Sequence, residues 1–385
     1  MTVSHPPVLV TDTKYRASLA AVQSLGRAGY PVAALHTQGD GGAPAAFASK
    51  YVKKRVILPC SAKDEKYPEL LAQVCGSLGE EYGAAPVVFP VGAATLAQLA
   101  EHREELGEYA RFLVSPPAVL EAANDKRRVG ELARSLGVPA PKEYPCPGGA
   151  LPEAFPVVVK PRCGEKFGLH AEERYRKAYD PAGFRAAWEA MARYDPQPVV
   201  QELLTGEAMG VSLVMDGKSR PVSALCHRRV REYPTQGGPS SCCESVWDGA
   251  LVEHAVKLLR GLGFVGLAMV EFKGGKLLEI NPRVWGSFPL TYKCGAPLAQ
   301  DYVRASLGEE LPLIQGPGYK TGVRMQFVLN DGLACLGYLR QGQPGRGLRG
   351  LVDLLNPRVK DGVFSCDDPR PFIRYLKNAL GKGGD

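Results

Sequence analysis

Several features that would place this chain in a familiar class are missing from its sequence. The ten cysteines are scattered and form no C-x-x-C pair, so we interpret them as reduced thiols and not as a disulfide frame or a zinc site. The six histidines show no H-E-x-x-H spacing, which removes the common zinc-hydrolase motif. No G-x-G-x-x-G fingerprint follows the first apolar strand, so no dinucleotide site is predicted there.

Long apolar runs and dense charge are missing as well. No apolar run approaches the length that crosses a bilayer, and the N-terminus lacks the pattern of a signal peptide. We therefore expect a cytoplasmic protein without a membrane partner. The net charge of +7 is spread thinly, in short clusters such as 53–55 and 228–231. This suits a small anionic substrate better than a nucleic-acid face.

What the sequence does contain is the composition of a globular protein of more than one domain. Its 385 residues are 45% hydrophobic and 23% charged, which leaves room for two or three domains and a sizeable core. Over residues 1–118, short apolar strands alternate with helical periods, starting with a strand at 7–10, a helix at 18–28 and a strand at 32–35. This order predicts a small α/β domain with a parallel sheet.

Residues 119–310 have a different pattern, which predicts an α+β unit with antiparallel sheets. Strands at 199–204, 211–215 and 222–225 follow one another along this stretch. The remainder, 311–385, has Gly/Pro-rich connections and ends in a basic amphipathic segment. We expect it to pack on the preceding unit as a C-terminal extension.

The stretch 269–283 holds the most informative chemical pattern. Two apolar runs flank a Gly-Gly turn, which predicts a tight β-hairpin. Each run carries one acid, Glu271 or Glu279, and an antiparallel pair can bring them side by side. Because two such carboxylates repel, we predict a hard divalent cation held by both acids and Asn281, followed by Arg283 as an anion clamp. The alternative is an edge hairpin with solvated acids.

Two lysines and a loop upstream could contact phosphate. Lys160 ends a run of valines, where a buried ammonium needs a partner, or it snorkels at the strand end. Lys126 lies in the first turn of a helix, where the helix dipole mildly disfavours a cation. The glycines of segment 162–168, among them Gly164, would let backbone amides approach a phosphate, unless this is an ordinary loop.

Two further segments could contact an adenine and a substrate. In 199–207 an apolar run turns acidic, and main-chain groups at Glu202 and Leu204 could bond an adenine edge, unless this is a strand end with exposed acids. We expect a long polar loop at 228–241, which combines three arginines with a Gly-Gly pair. Such a loop suits closure over an anionic substrate, and the alternative is a solvated surface loop.

Together these residues resemble the ATP-grasp superfamily, and they occur in the order of that family. Lys126 and Lys160 correspond to its two phosphate lysines, and 200–207 resembles its adenine-binding hinge. The acids, asparagine and arginine of the hairpin match the family's E…E-x-N-x-R set. The N-terminal domain is similar to the small domain that precedes ATP-grasp units in biotin carboxylase and D-alanine–D-alanine ligase. The resemblance implies an ATP-grasp fold over 119–310.

The chain departs from the family pattern at two places. The loop after Lys160 has fewer glycines and serines than many relatives have, and Lys166 could replace part of its role. Many members have an acid at the position of Ala208, whereas here the acid is Glu207, one residue earlier. The loop 231–238 resembles that of stand-alone carboxylate–amine ligases.

The resemblance implies an ADP-forming ligase. A carboxylate attacks the γ-phosphate of Mg-ATP to give an acyl phosphate, and an amine then displaces phosphate. The implied cofactors are ATP and Mg²⁺, with Mn²⁺ as a substitute, and the partners are a small carboxylate and an amine, without nucleic acid. A homodimer stays open. Two other interpretations also stay open: a carboxylase or kinase-like member of the same fold, and a nucleotide-binding regulatory protein without catalysis.

This interpretation gives each residue a role. Lys160 and Arg283 are expected to act in catalysis. The expected nucleotide contacts are Lys126, Lys160, Gly164, Lys166, Gln201, Glu202, Leu204 and Glu207. The expected metal ligands are Glu271, Glu279 and Asn281. The expected substrate contacts are Arg228, Arg231, Gly237, Gly238 and Ser240.

Overall fold

The first part of the chain is a parallel sheet between helices. The structure, a computed structural model, describes residues 5–38, 43–164, 169, 173–235 and 237–381, so Lys166 lies outside the described residues. The first elements are β1 (Val8–Val10), α1 (Arg16–Arg27), β2 (Val32–Thr37), β3 (Val52–Leu58), α2 (Tyr67–Tyr82), β4 (Val87–Phe89), α3 (Ala93–Glu101) and α4 (Arg103–Tyr109). The strand order is β3-β2-β1-β4 with parallel pairing throughout, which confirms the predicted parallel sheet.

Strand β3 is an element that the sequence pattern did not predict. Three consecutive basic residues lie between aliphatic ones, and every second residue of Val52–Ile57 is exposed. The basic cluster at 53–55 is therefore part of an edge strand. Charged side chains on an edge strand also discourage pairing with another chain.

A three-stranded antiparallel sheet follows. Its strands and the helices of the same stretch, in chain order, are α5 (Pro117–Asn124), α6 (Lys126–Ser135), β5 (Val157–Lys160), β6 (Arg176–Ala178), α7 (Pro181–Ala192) and β7 (Val199–Glu202). The strand order is β6-β5-β7. Helix α6 begins at Lys126 because the Asp125 side chain caps it, accepting the amides of Arg127 and Arg128 at 2.9 and 3.2 Å.

The largest sheet has seven strands. The remaining elements are β8 (Ala208–Met215), β9 (Pro221–Glu232), β10 (Ser240–Val246), α8 (Gly249–Gly261), β11 (Gly266–Lys273), β12 (Lys276–Asn281), α9 (Pro289–Cys294), α10 (Leu298–Ser306), β13 (Arg324–Gln326), α11 (Val328–Arg340), α12 (Pro344–Leu355), β14 (Lys360–Asp361) and α13 (Arg370–Gly381). The strand order is β12-β11-β8-β9-β10-β13-β14, antiparallel except between β13 and β14. The predicted combination of a parallel α/β part with antiparallel sheets is confirmed.

The prediction of a long loop at 228–241 is wrong. Strand β9 continues to Glu232, so Arg228 to Arg231 lie in the sheet and the loop shrinks to 233–239. The reason is that β10 offers a partner for the charge, because Glu244 stands directly opposite Arg228 in the register.

The last part of the chain belongs to the same sheet. Strand β13 pairs with β10 through Met325 opposite Cys243, so the segment 311–385 supplies strands of the sheet in addition to packing against it. The parallel sheet also joins this core, since the Phe89 ring lies 5.0 Å from the Tyr302 ring and 5.9 Å from the Phe288 ring. None of the helices in the described ranges is long and apolar enough to cross a membrane.

Candidate active site

The predicted β-hairpin is confirmed, and it brings the two acids together. Strands β11 and β12 are joined by Gly274 and Gly275, whose φ angles of 57° and 77° suit the tight turn. The register places Glu271 directly opposite Glu279. Asn281 lies on the same strand two residues beyond Glu279, and its Nδ2 donates to Glu271 Oε1 at 3.1 Å.

Each of these acids is paired with a basic side chain. Arg229 Nη2 lies 2.9 Å from Glu271 Oε2, and Lys126 Nζ lies 3.2 Å from Glu279 Oε2. The carboxylate side chains are only 13% and 30% exposed. An edge hairpin with solvated acids does not describe this arrangement, because both acids are largely enclosed and held in specific pairs.

The two carboxyl groups differ in how readily they ionise. Burial raises the pKa of Glu271, Arg229 acts against this, and the charge of Glu279 raises it further. Burial acts in the same direction on Glu279, but Lys126 and Lys160 overcome it and hold the pKa of Glu279 at about 2. Glu279 is therefore ionised at neutral pH, whereas the charge of Glu271 is only partly compensated by the protein.

Lys160 is enclosed at the end of β5, as predicted for its strand position. It is 6% exposed, so its ammonium group does not snorkel into water. Burial and the charge of Lys126 lower the pKa of Lys160 to about 8, against the opposite effects of Glu279 and Glu143. Glu143 also keeps one buried oxygen, Oε2, without a hydrogen-bond partner. This oxygen is therefore available for a hydrogen bond with a bound ligand.

The segment after β5 lies against the start of α6. The Lys126 amide donates to the Arg162 carbonyl at 3.1 Å. A Cβ atom at Gly164 would lie 3.9 Å from Lys126 Nζ, so the loop passes directly over this ammonium group. The structure therefore brings Lys126, Lys160 and Gly164 to one place, beside Glu279.

The expected adenine-binding segment lies next to the same hairpin. The amide of Glu202 donates to the Lys142 carbonyl at 2.9 Å, and its carboxylate accepts Lys276 Nζ at 2.5 Å. The Glu202 amide is thus already bonded within the protein, so the Glu202 carbonyl and the main chain of Leu204 stay the predicted adenine contacts. Gln201 lines a pocket together with Lys126, Glu279 and residues of β12.

The expected substrate residues separate into two groups. Arg228 pairs with Glu207 at 3.3 Å and with Glu244 at 3.2 Å. Ser240 and Gly238 belong to the same group, and both contact the side chain of Arg229. Its Nε donates to Ser240 Oγ at 3.1 Å, and its Nη1 donates to the Gly238 carbonyl at 3.4 Å. Gly237 adjoins Gly238 in the same loop.

Arg231, the remaining expected substrate contact, is buried inside the protein. Its side chain is 4% exposed, its Nε and Nη2 donate to Asp331 at 2.7–3.1 Å, and its Nη1 donates to Asp353 at 2.7 Å. The expectation that Arg231 contacts substrate is therefore corrected, because both sides of its guanidinium group are already bound to carboxylates inside the protein.

Arg229 is the site residue that the sequence interpretation missed. It joins Glu271 of the hairpin to the loop at 233–239. A prediction of a strand over 221–232 would have indicated Arg229, because in a strand Arg229 lies on the same face as His227. Gly210 stands opposite both Glu271 and His227 in the register, and a Cβ there would come within 2.2 Å of the His227 ring.

His227 supports this part of the site as a neutral residue. It is buried, and burial together with the charge of Arg229 lowers its pKa to about 3. Its Nε2 lies 3.1 Å from Ser287 Oγ, which fixes the segment that follows Arg283. Arg283 itself donates from Nη1 to the Val284 carbonyl at 3.0 Å, and its charge lowers the pKa of Glu271.

A comparison with known families finds a match over the part of the chain that holds this arrangement. Residues 123–287 match the sequence model of a family described as the ATP-grasp domain. The match begins just before α6 and ends just after Arg283, so it contains both lysines and the acidic hairpin. This part of the chain is therefore similar to an ATP-grasp domain, in agreement with the resemblance seen in the sequence.

Solved structures agree on the fold at low sequence identity. Biotin carboxylase from Campylobacter jejuni, in complex with β,γ-ATP, is similar with a TM-score of 0.61 and 16% identity, covering 83% of this chain and 74% of that one. The biotin carboxylase domain dimer of the Hydrogenobacter thermophilus 2-oxoglutarate carboxylase, with MgADP, ADP and bicarbonate, gives 0.60 and 14%, covering 83% and 73%. L-Amino acid ligase from Bacillus licheniformis gives 0.54 and 16%, covering 79% and 75%. The chain has the ATP-grasp fold that carboxylases and ligases share.

Proposed function

We propose that this protein is an ADP-forming carboxylate–amine ligase. The observation that carries the proposal is the pair of opposed acids, Glu271 and Glu279, with Lys126 and Lys160 directly beside Glu279. Phosphoryl transfer requires positioning and charge neutralisation far more than covalent chemistry. Two acids for a metal ion, with two lysines for phosphate oxygens, provide both.

The acidic hairpin fits a magnesium ion. Within the described ranges no group of three or more His, Cys, Asp or Glu side chains could hold a metal by itself. Magnesium does not need one, because it commonly uses one or two carboxylates and completes its octahedron with phosphate oxygens and water. Glu271, Glu279 and Asn281 would hold Mg²⁺ or Mn²⁺, which would neutralise charge on the β- and γ-phosphates. A bound cation would counteract the burial that raises the pKa of Glu271.

The nucleotide would lie between β5, β7 and the hairpin. Lys160, whose ammonium is shielded from water, would bond a phosphate oxygen in a surrounding of low dielectric constant, where the bond is strong. Lys126 would turn from Glu279 toward the same phosphates, with the amides around Gly164 beside it. Gln201 and Leu204 would contact the adenine and Glu207 the ribose, and Lys166 stays a predicted phosphate contact.

The substrate would bind on the arginine side of the hairpin. Arg283, Arg228 and Ser240 would orient the carboxylate, with the main chain of Gly237 and Gly238 closing over it. A carboxylate oxygen attacks the γ-phosphorus, the bond to the bridging oxygen of ADP breaks, and an acyl phosphate forms. The amine nitrogen then attacks the acyl carbon, inorganic phosphate leaves, and the amine proton passes to phosphate or water. Exclusion of water by the loop at 233–239 would protect the acyl phosphate.

We add Arg229 to the residues that operate this site. Its side chain contacts Glu271, Ser240 and the Gly238 carbonyl at the same time. A cation bound to Glu271 would neutralise the carboxylate charge that Arg229 otherwise compensates. Arg229 could then turn toward the anionic substrate, so the filling of the metal site and the ordering of the loop would be coupled.

A carboxylase that acts on bicarbonate is the second candidate. It is favoured by the two similar carboxylase structures, one of which contains bicarbonate and MgADP. The first step would be the same, because bicarbonate also attacks the γ-phosphate through a carboxylate-type oxygen. The acceptor separates the two candidates: a free amine for a ligase, and a ring nitrogen of the biotin type for a carboxylase.

Measurement of ADP release tests both candidates. Pooled amino acids and other small carboxylates are added to enzyme and Mg-ATP, with and without pooled amines, and bicarbonate with biotin is a parallel arm. We expect ADP release that needs a carboxylate and rises with an amine, together with a product of the combined mass. The Glu279→Gln variant should lose the activity, and Glu81→Gln, an exposed acid paired with Lys54 on the far domain, should keep it.

The result that contradicts the ligase proposal is equally specific. ADP release that depends only on bicarbonate and biotin would favour the carboxylase. If no member of the panel stimulates ADP release while Mg-ATP still binds, the protein is a nucleotide-binding protein without ligase activity. Full activity of the Glu279→Gln variant would refute the metal assignment.

A further inference from the structure

Helices α11 and α12 form an antiparallel hairpin whose outer face is apolar and uncovered. On α11 the exposed leucines follow one stripe, and on α12 they recur at the same helical spacing. Leu355 is 88% exposed and Val352 is 66% exposed, which is unusual for such side chains. The exposed apolar residues of the two helices are Val328, Leu329, Leu333, Leu336, Leu348, Leu351, Val352 and Leu355.

The exposed charge of the two helices is of one sign, and the nearest acid outside them is Asp361, whose Oδ2 accepts the Val328 amide at 3.1 Å. The only acids between residues 328 and 360 are Asp331 and Asp353, and both are buried against Arg231. The basic side chains of the same stretch are exposed. They are Arg340, Arg346, Arg349, Arg358 and Lys360. The accessible surface of the hairpin therefore consists of leucines with an arginine and lysine border, without exposed acid.

The hairpin is bound to the large sheet and contacts the loop beside the candidate active site. Its two helices are tied to β9 by the bonds of Arg231 to Asp331 and Asp353. Gln341, directly after α11, donates to Thr235 Oγ1 of the loop at 233–239 at 2.6 Å. The side chain of the same threonine fills the space that a Cβ at Gly337 would need. A ligand bound to the hairpin would therefore lie close to residues that contact the loop beside the site.

We propose that the α11–α12 hairpin docks this protein on an anionic lipid surface. Amphipathic helices with leucines on one side and arginine or lysine around them insert their apolar face into the boundary between headgroups and acyl chains. The basic border adds attraction to anionic headgroups at close range. This goes beyond the proposed ligase reaction and does not depend on it, because the surface is separate from the nucleotide site.

The charge pattern favours a lipid surface over a second copy of this chain. A twofold interface places the same patch on both subunits, so arginines would face arginines with no acid of the hairpin to pair them. An anionic membrane supplies the missing negative charge along the whole border. The earlier expectation of no membrane partner came from the lack of a spanning segment, and a helix that lies in the interface needs none.

Vesicle co-sedimentation with the full chain tests the proposal. We expect binding to phosphatidylcholine vesicles that contain phosphatidylglycerol, weaker binding at high salt, and little binding to pure phosphatidylcholine. The double variant Leu348→Ser/Leu355→Ser should bind at least about tenfold more weakly, because two inserting side chains are lost. The matched control is Ile57→Ser, which removes an exposed apolar side chain from β3 at 62% exposure and should bind like the original protein.

Both variants replace exposed side chains, so circular dichroism and melting temperature should stay unchanged and a binding loss can be assigned to the surface. Equal binding by the double variant, or no binding of the original protein to anionic vesicles, overturns the proposal. A concentration-dependent dimer in light scattering that the double variant abolishes, without vesicle binding, would show a self-association face and also overturn it.

Discussion

Two arginines on strand β9 are only two residues apart, and they serve the molecule differently. Arg231 is bound on both sides by Asp331 and Asp353, and Asp331 also accepts Ser241 Oγ at 2.8 Å. Arg229 binds Glu271, whose pKa is raised because burial outweighs the compensation that the protein offers. The first cluster is complete with protein groups alone, whereas the second has room for another positive charge.

This difference separates a stabilising ion cluster from a binding site. In the Arg231 cluster, loss of one member leaves a buried charge without a partner, which costs stability. In the Glu271 cluster, burial raises the pKa of the carboxyl group, and Arg229 keeps a second acid, Glu232, at 3.5 Å. Neutralisation of Glu271 should therefore cost the fold little and ligand binding much. The same carboxylate-to-amide change should thus have opposite effects at the two places.

The largest effect is expected for Glu271→Gln. Loss of one metal-binding carboxylate should reduce ADP release by about 10³-fold, equivalent to about 4 kcal/mol of transition-state stabilisation. The unfolding free energy at pH 7 should stay equal or rise, because a carboxyl whose folded pKa lies above its unfolded value is held more easily in its neutral form. ADP release and urea denaturation check the two halves of this prediction. A clear loss of stability with normal ADP release would reverse the comparison.

The next effect is expected for Asp331→Asn. The residue is fully buried, and its neutral form leaves Arg231 with half of its countercharge, which should lower the unfolding free energy by about 3 kcal/mol. The matched variant is Arg324→Gln at the edge of the same cluster, where the side chain is 37% exposed and should matter by at most about 1 kcal/mol. Nucleotide affinity of the folded protein should stay normal in both. If Asp331→Asn melts like the original protein, the cluster is not a stabilising one.

The smallest effect is a pH dependence of nucleotide binding. Lys160 has a pKa lowered to about 8, so its ammonium is charged at pH 7 and mostly neutral at pH 9. Because phosphate binds the charged form, ATP affinity should fall about tenfold between these pH values. Calorimetric titration measures the change, and Lys160→Met should bind weakly without this pH dependence. The same fall in Lys160→Met would assign it to another group, such as Lys293, whose pKa is also lowered to about 8.

The parts of this molecule that the sequence predicted have local causes. The Gly-Gly turn with apolar runs on both sides predicted the hairpin, and its spacing placed Glu271 opposite Glu279. The buried strand ending at Lys160 follows from a short pattern as well. The parallel sheet followed from alternation of strands and helices.

The parts that it did not predict depend on distant partners. Arg229 finds Glu271 42 positions later, and Arg231 finds Asp331 100 positions later. Without those acids, three arginines before a Gly-Gly pair indicate a loop, which was the error at 228–241. Strand β3 was not predicted because three consecutive basic residues interrupt its apolar pattern, and its pairing with β2 makes it a strand.

The place of β13 in the large sheet has a consequence for the order in which the protein is completed during synthesis. The acidic hairpin lies at one edge of that sheet, and β13 covers β10 toward the other edge. Before residues 324–326 have been synthesised, β10 has no partner on that side, although the residues of the nucleotide site are already made. An unpaired strand edge can pair with another chain, so β13 would protect the sheet as well as complete it.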